Sequence, residues 1–153
     1  WYLVWYTLIM RDNFPYVGAA YLFLIEDGKI LLQRRFQTGF EDGNYGVPAG
    51  HMDGGETVRE ACVREIKEEI GIDLKIEDLE MVHVMCRKAS QDERFDFFFT
   101  TKSYIGQICN FEPNKCDDLS WFSLDELPEN MVEYVRTAIQ HYQNKITYSE
   151  YGW

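Results

Sequence analysis

At 153 residues the chain is long enough for one domain with a real core, and its 46% hydrophobic and 27% charged residues are ordinary for a soluble globular protein. A net charge of −11 argues against binding polymeric DNA or RNA, because neutralisation of phosphates by Lys and Arg carries most of that affinity. A small phosphate ester is compatible with such acidity where cations bridge it to the protein.

Residues 1–10 are apolar but too short to cross a bilayer, and no basic segment or small-residue cleavage site flanks them. They read as an edge or interface strand and hint at a homodimer contact; a first residue of Trp suggests that the natural start was trimmed. Residues 16–26, rich in β-branched and aromatic side chains, predict a strand. Asp27-Gly28 is a two-residue turn signal, and residues 29–35 are the returning strand of a hairpin. Residues 38–44 form a loop, and residues 45–49 a short strand ended by Pro48 and Gly50. Residues 56–70 are the clearest helix: Val58, Cys62, Ile66 and Ile70 recur every fourth position, and Gly71 sits where a helix stops. Residues 81–86, 95–102 and 119–122 read as strands. Pro128 breaks the chain before a closing helix at residues 131–142. Strands flanked by two helices imply an α/β protein with a mixed sheet and a helix on each face, here one domain over residues 1–153. Cys62, Cys86, Cys109 and Cys116 form no C-x-x-C pair, and the three histidines complete no zinc spacing; they read as reduced thiols of a cytoplasmic protein.

Glu65, Glu68 and Glu69 stand at i, i+3 and i+4 and share one arc of the helix surface. Like charges at that spacing destabilise a helix unless a cation lies among them. Oxygen-only donors suit a hard divalent ion such as Mg2+ or Mn2+. Gly50 and the run Asp53-Gly54-Gly55 make a tight turn able to aim a carbonyl at the same ion. Glu56 lies near the helix start, and Arg64 is placed to pair with Glu56, Glu60 or Glu68. Together these residues match G-x5-E-x7-R-E-U-x-E-E-x-G-U, with U apolar: Gly50, Glu56, Arg64, Glu65, Ile66, Glu68, Glu69, Gly71 and Ile72. Chance alone produces so many fixed identities less than about once per million windows.

This is the Nudix box, and the chain resembles the Nudix hydrolase family, its MutT-like members most. The preceding hairpin, Val47-Pro48-Ala49-Gly50 leading into the box, and Trp121-Phe122 with Leu127-Pro128 before a last helix extend the likeness. Ala49 stands where many members have a second Gly. The resemblance implies an α/β/α sandwich around a central mixed sheet. It implies Glu65 and Glu69 as principal metal ligands, with Glu68 and the Gly50 carbonyl contributing, and Glu56 as a supporting carboxylate oriented by Arg64. The general base is Glu65 or Glu68, and Glu112 and Asp117 are loop candidates for a distal ligand or base. The implied reaction is Mg2+- or Mn2+-dependent hydrolysis of a phosphoanhydride in a nucleoside diphosphate joined to another group.

Outside the box the signals are sparser. Arg34 and Arg35 end the second hairpin strand on opposite faces, so only one can reach inward to grip a phosphate. Phe36, Phe40, Tyr45, Phe97 and Trp121 are candidates to stack on a base. Arg94 and Asp96 share a strand face able to line the pocket, and His51 follows Gly50 directly. No SQPWPFPxS-like array follows the box, no Pro or Tyr lies just beyond Ile72, and no coenzyme A pattern lies upstream. These absences argue against NADH, ADP-ribose, diadenosine-polyphosphate and coenzyme A substrates. A nucleoside triphosphate, cut to monophosphate and pyrophosphate, leads by elimination, with support from Phe111 to Cys116 and residues 119–122. An ADP-ribose or nucleotide-sugar pyrophosphatase, or a non-catalytic nucleotide sensor, is the alternative. The expected partner is a small nucleotide, not a nucleic-acid polymer or a membrane.

Overall fold

The computed structural model describes residues 15–90 and 92–153. The strand expected at residues 1–10, and the dimer contact inferred from it, lie outside those residues. Strand β1 (Tyr16–Phe23) leads into β2 (Ile25–Glu26), and β3 (Lys29–Arg35) returns antiparallel to β2. Asp27 and Gly28 both have positive φ, 47° and 75°. That is the backbone twist a two-residue hairpin favours. Strands β4 (Tyr45–Gly46) and β5 (Ala49–His51) follow, then helix α1 (Val58–Ile70), β6 (Leu79–Lys88), β7 (Glu93–Thr101), β8 (Cys116–Ser123), helix α2 (Glu133–Gln143) and β9 (Tyr148–Tyr151).

The expected mixed sheet is present, and a second sheet accompanies it. A mixed five-stranded sheet runs β5-β1-β7-β6-β9, with β1–β7 and β6–β9 parallel. A second, antiparallel sheet is built on β3, which pairs with β2, β4 and β8. Two segments read as single strands are therefore each split as the chain changes sheets. The first breaks at Leu24. The second breaks at Val47-Pro48, where the proline lacks an N–H but its carbonyl accepts from Leu22 N–H at 2.9 Å. The short strand β9 and a 3-10 turn at Ile76–Asp78 carry no sequence signal that was read.

Helix α1 starts at Val58, two residues later than predicted, because Thr57 caps it. The Thr57 side chain accepts from Glu60 N–H while Glu60 returns the bond to the Thr57 backbone. Gly71 ends the helix with φ 78°. Its apolar stripe, Cys62, Ile66 and Ile70, packs with Leu22, Leu31 and Phe99 on one side of the sheets. Truncating Ile66 to Ala removes contacts worth about 2–5 kcal/mol at such a site. Helix α2 buries Val135, Ala138 and Ile139 against Phe23, Leu32 and Phe98 on the other side. The result is an α/β/α sandwich. All four cysteines are free thiols. Among the described residues no helix is long and apolar enough to cross a membrane.

Candidate active site

The turn that joins β5 to α1 is tied to the helix by Arg64. Its guanidinium grips Glu56 with two bonds, Nε to Oε2 at 3.1 Å and Nη2 to Oε1 at 2.6 Å, and Nη2 also donates to the His51 carbonyl at 3.0 Å. Nη1 donates to Glu65 Oε1 at 2.7 Å. Glu56 additionally accepts from the Asp53 N–H at 2.7 Å. These bonds, those from Arg64 foremost, hold the Glu56 carboxyl below the usual range, so it stays an anion. Glu56 and Arg64 thus fasten the loop against the helix and set the direction of Glu65.

Gly50 is required for a reason other than backbone torsion. A Cβ there would sit 1.8 Å from Glu65 Cδ, so the Glu65 side chain crosses directly over the glycine backbone. One turn on, Glu69 reaches between the two sheets, and its Oε2 accepts from the Ala49 N–H at 2.9 Å and Gln33 Nε2 at 3.2 Å. The residue at position 49 contributes its N–H, which Ala supplies as well as Gly. Burial pushes the Glu69 carboxyl up to about 8 against those two bonds, and the charges of Glu112 and Glu65 push the same way. Glu65, Glu69 and Glu112 all line a cleft of about 770 Å3.

Of the predicted trio, Glu65 and Glu69 line the cleft, and Glu68 is 58% exposed, 3.8 Å from the Arg64 nitrogen that holds Glu65. Glu112, from the loop before β8, also lines the cleft. Among the described residues no three His, Cys, Asp or Glu side chains form a closed metal cage. Like charges cannot close up without a cation, and each carboxylate has found another partner: Glu65 leans on Arg64, and Glu112 accepts from Lys115 Nζ at 2.7 Å. The donor set still fits a hard divalent ion. It is all oxygen, and it includes a carboxyl whose ionised form burial disfavours until a positive charge arrives.

Comparison with known proteins agrees with this geometry. The family profile described as NUDIX domain matches residues 15–142. The chain belongs to the Nudix family. A solved MutT Nudix hydrolase from Burkholderia pseudomallei superposes with TM-score 0.76 at 29% identity, covering 82% of this chain and 97% of that one. The NAD-capped RNA hydrolase NudC of Pseudomonas entomophila is 29% identical over 119 residues, 76% of this chain and 40% of NudC. The m7GpppN-mRNA hydrolase of Saccharomyces cerevisiae is 29% identical over 126 residues, 79% of this chain and 12% of that enzyme. The chain therefore spans less than half the length of these two curated relatives, both of them named as hydrolases.

Around the Nudix box, the other expected contacts divide. Arg35 lines the cleft, bonded to Thr38 Oγ1 at 3.1 Å and the Phe40 carbonyl at 2.7 Å, and Phe40 lines it too. Arg34 points away and pairs with Asp117 at 2.7 Å, and neither lines the cleft. Tyr45 is buried, its hydroxyl donating to Asp118 at 2.7 Å and its ring against Phe122. Trp121 and Phe97 pack in the core under α1, and Phe36 lies outside the cleft. Of the aromatic candidates only Phe40 reaches the cleft; Arg34, Phe36, Tyr45 and Trp121 do not. His51 does, its Nε2 2.9 Å from Arg94 Nη1. Tyr21, Arg87 and Tyr134 line the cleft without having been singled out. Tyr21 and Tyr134 sit within an expected strand and helix whose patterns read as core, Arg87 lies just past the strand read at residues 81–86, and only the packing of α2 on the sheet brings them together.

Proposed function

We propose that this chain is a divalent-metal-dependent Nudix pyrophosphohydrolase, and that a nucleoside triphosphate is its substrate, cut to a monophosphate and pyrophosphate. The observation that carries the reading is the convergence of Glu65, Glu69 and Glu112 on one cleft beside the Gly50 turn, with Arg64 fixing Glu65. A bound Mg2+ or Mn2+ supplies charge neutralisation for the phosphates and acidifies a coordinated water. Glu65, Glu69 and Glu112, with the Gly50 carbonyl, are the groups that would hold it. Glu56 holds Arg64 in place. Glu65 is the better general base of the two box candidates, because it lines the cleft while Glu68 faces outward. Arg35 and Lys115 are the cleft cations on the phosphate side. The retained glutamates favour catalysis over nucleotide sensing.

The test is product identification from nucleoside triphosphates, ADP-ribose and NAD with Mg2+, against an EDTA control. Pyrophosphate release from triphosphates, abolished by EDTA, is the expected result. ADP-ribose or NAD ranked first overturns the triphosphate assignment, and no hydrolysis of any member overturns the enzyme.

A further inference from the structure

The end of the cleft away from the carboxylates is built on residues that the chemistry at Gly50 does not use. Arg87, near the end of β6, has a side chain only 6% exposed, and its partner Asp96 on β7 is fully buried. Arg87 Nε and Nη2 both donate to Asp96, and the guanidinium carbon lies 3.8 Å from the centroid of the Tyr134 ring on α2. Tyr21 donates to Asp96 Oδ1 at 3.3 Å, and its hydroxyl meets that of Tyr134 at 3.3 Å. Asp96 and Tyr134 thus fix the plane of one guanidinium, and Tyr21 bonds to both of them.

The side edge of Arg87 is occupied and its end edge is not. Nη1 and the second Nη2 hydrogen have no acceptor among the described residues. Nor is Nη1 sealed away: the one fully buried side-chain N or O without a partner among those residues is His141 Nδ1, and Arg87 lines the cleft. A buried cation that lines a cleft with unpaired donors on both Nη1 and Nη2 is suited to a ligand with two adjacent acceptors.

The charge balance decides which ligand. Arg94 stands opposite Arg87 in the β6–β7 register and grips Asp92 with two bonds, at 2.6 and 2.7 Å. Each arginine therefore has its own carboxylate, and this end has no surplus positive charge for a phosphate. A neutral group with vicinal acceptors fits better. The O6 and N7 edge of a 6-oxopurine is such a group and matches the donor fork of arginine, whereas adenine presents an amino donor at position 6. Gly50 and Arg87 are separated by three strand steps, β5 to β1 to β7 to β6, and by three residues along β6, roughly 17 Å in all. That is a distance a nucleoside and its first phosphates can bridge.

We propose that Arg87, positioned by Asp96 and Tyr134, is the specificity residue of the nucleotide site and reads the paired O6 and N7 acceptors of a 6-oxopurine. The inference rests on the nucleotide reading above, and the experiment separates the two. Equilibrium binding of GMP, IMP and AMP in EDTA reads the pocket without catalysis. The parent protein should bind GMP and IMP at least about tenfold more tightly than AMP. Arg87→Lys keeps a cation opposite Asp96 but loses the planar fork, and it should bring the three affinities within about threefold while AMP binding changes little. Equal binding of AMP and GMP by the parent overturns the proposal without any variant. So does a uniform loss for all three in Arg87→Lys, which would mark Arg87 as a phosphate or packing residue. Hydrolysis of triphosphates without base-selective binding leaves the enzyme standing and removes the specificity residue; selective binding without hydrolysis does the reverse.

Discussion

The two ends of the cleft solve opposite electrostatic problems. At the Arg87 end every charge is matched: Arg87 with Asp96 and Arg94 with Asp92, four charges held by short side-chain bonds. At the Gly50 end Glu65, Glu69 and Glu112 crowd one wall, and the nearby cations are Arg64, already bound to Glu56, and Lys115, out on the rim. A fold keeps a balanced cluster because breaking either pair strands a buried charge. It keeps an unbalanced one when something from solution completes it. On that reading the first end is preformed and its geometry does not depend on metal, while the second assembles only when a cation binds.

The sharpest way to break this contrast is Glu69→Gln. The amide oxygen can still accept from the Ala49 N–H and Gln33 Nε2, so the packing of the site survives. Turnover should fall by more than the roughly 10–100-fold typical of residues that only support a metal ligand. The metal-free variant should melt no lower than the parent, because a carboxyl held up at about 8 by burial is not helping the fold at neutral pH. The rise in melting temperature produced by Mn2+ should vanish. Activity within a few-fold of the parent would remove Glu69 from the chemistry.

Gly50→Ala should come next in size. The new methyl would occupy the place of Glu65 Cδ, and Glu65 must swing away from the loop. Overpacking of this kind costs about 1–3 kcal/mol, and the displaced ligand should lower turnover by tens of fold. Unchanged stability together with unchanged kinetics would mean that Glu65 does not need the path it takes across Gly50.

A smaller effect concerns pH. Glu69 has a folded value raised to about 8 from 4.5. A raised carboxyl favours the protonated fold, so its contribution to stability is full below about 4.5 and is lost as pH climbs through about 8. A divalent ion binds the ionised form, so below about 8 its binding must release a proton. The stabilisation by Mg2+ should therefore grow between pH 6 and 8.5, by a few degrees of melting temperature. A metal-induced shift that is flat across this range, read by thermal melts with and without EDTA, would deny Glu69 a place at the ion.

How much of this was legible in the chain depends on how local each signal is. The Asp27-Gly28 turn and the Gly71 stop act within a few residues, and the hairpin and α1 stand where they were read, to within two residues. The Nudix box is local too, and it located Arg64, Glu56 and Gly50. Glu68 and Glu69 share a helical arc, and nothing in that arc says that Glu69 turns toward Gln33 while Glu68 meets water. The sheet changes at Leu24 and Pro48 were hidden because apolar runs continue across both. The Arg87 end was hidden as well: Asp96 and Arg87 come together only through the β6–β7 register, and Tyr134 only through the docking of α2.

The least effect should come from Tyr45→Phe, and it bears on the line between core and cleft. Sequence pattern makes Tyr45 a candidate for stacking on a base, but its ring lies edge-on to Phe122, 4.9 Å between centroids, and its hydroxyl donates to Asp118 at 2.7 Å. Burial, then the Asp118 carboxylate, raises the phenol, so it remains a donor at any working pH. Removing that hydroxyl takes one hydrogen bond to a charged acceptor, about 1–2 kcal/mol of stability and a few degrees of melting temperature. Asp118 keeps the Ser120 hydroxyl at 3.0 Å, which limits the loss. KM for every nucleotide should stay within about twofold of the parent, since no cleft-lining group has moved. A base-dependent change in KM would put Tyr45 back among the substrate contacts and would mean that the cleft extends across β4 toward β8 when a nucleotide binds.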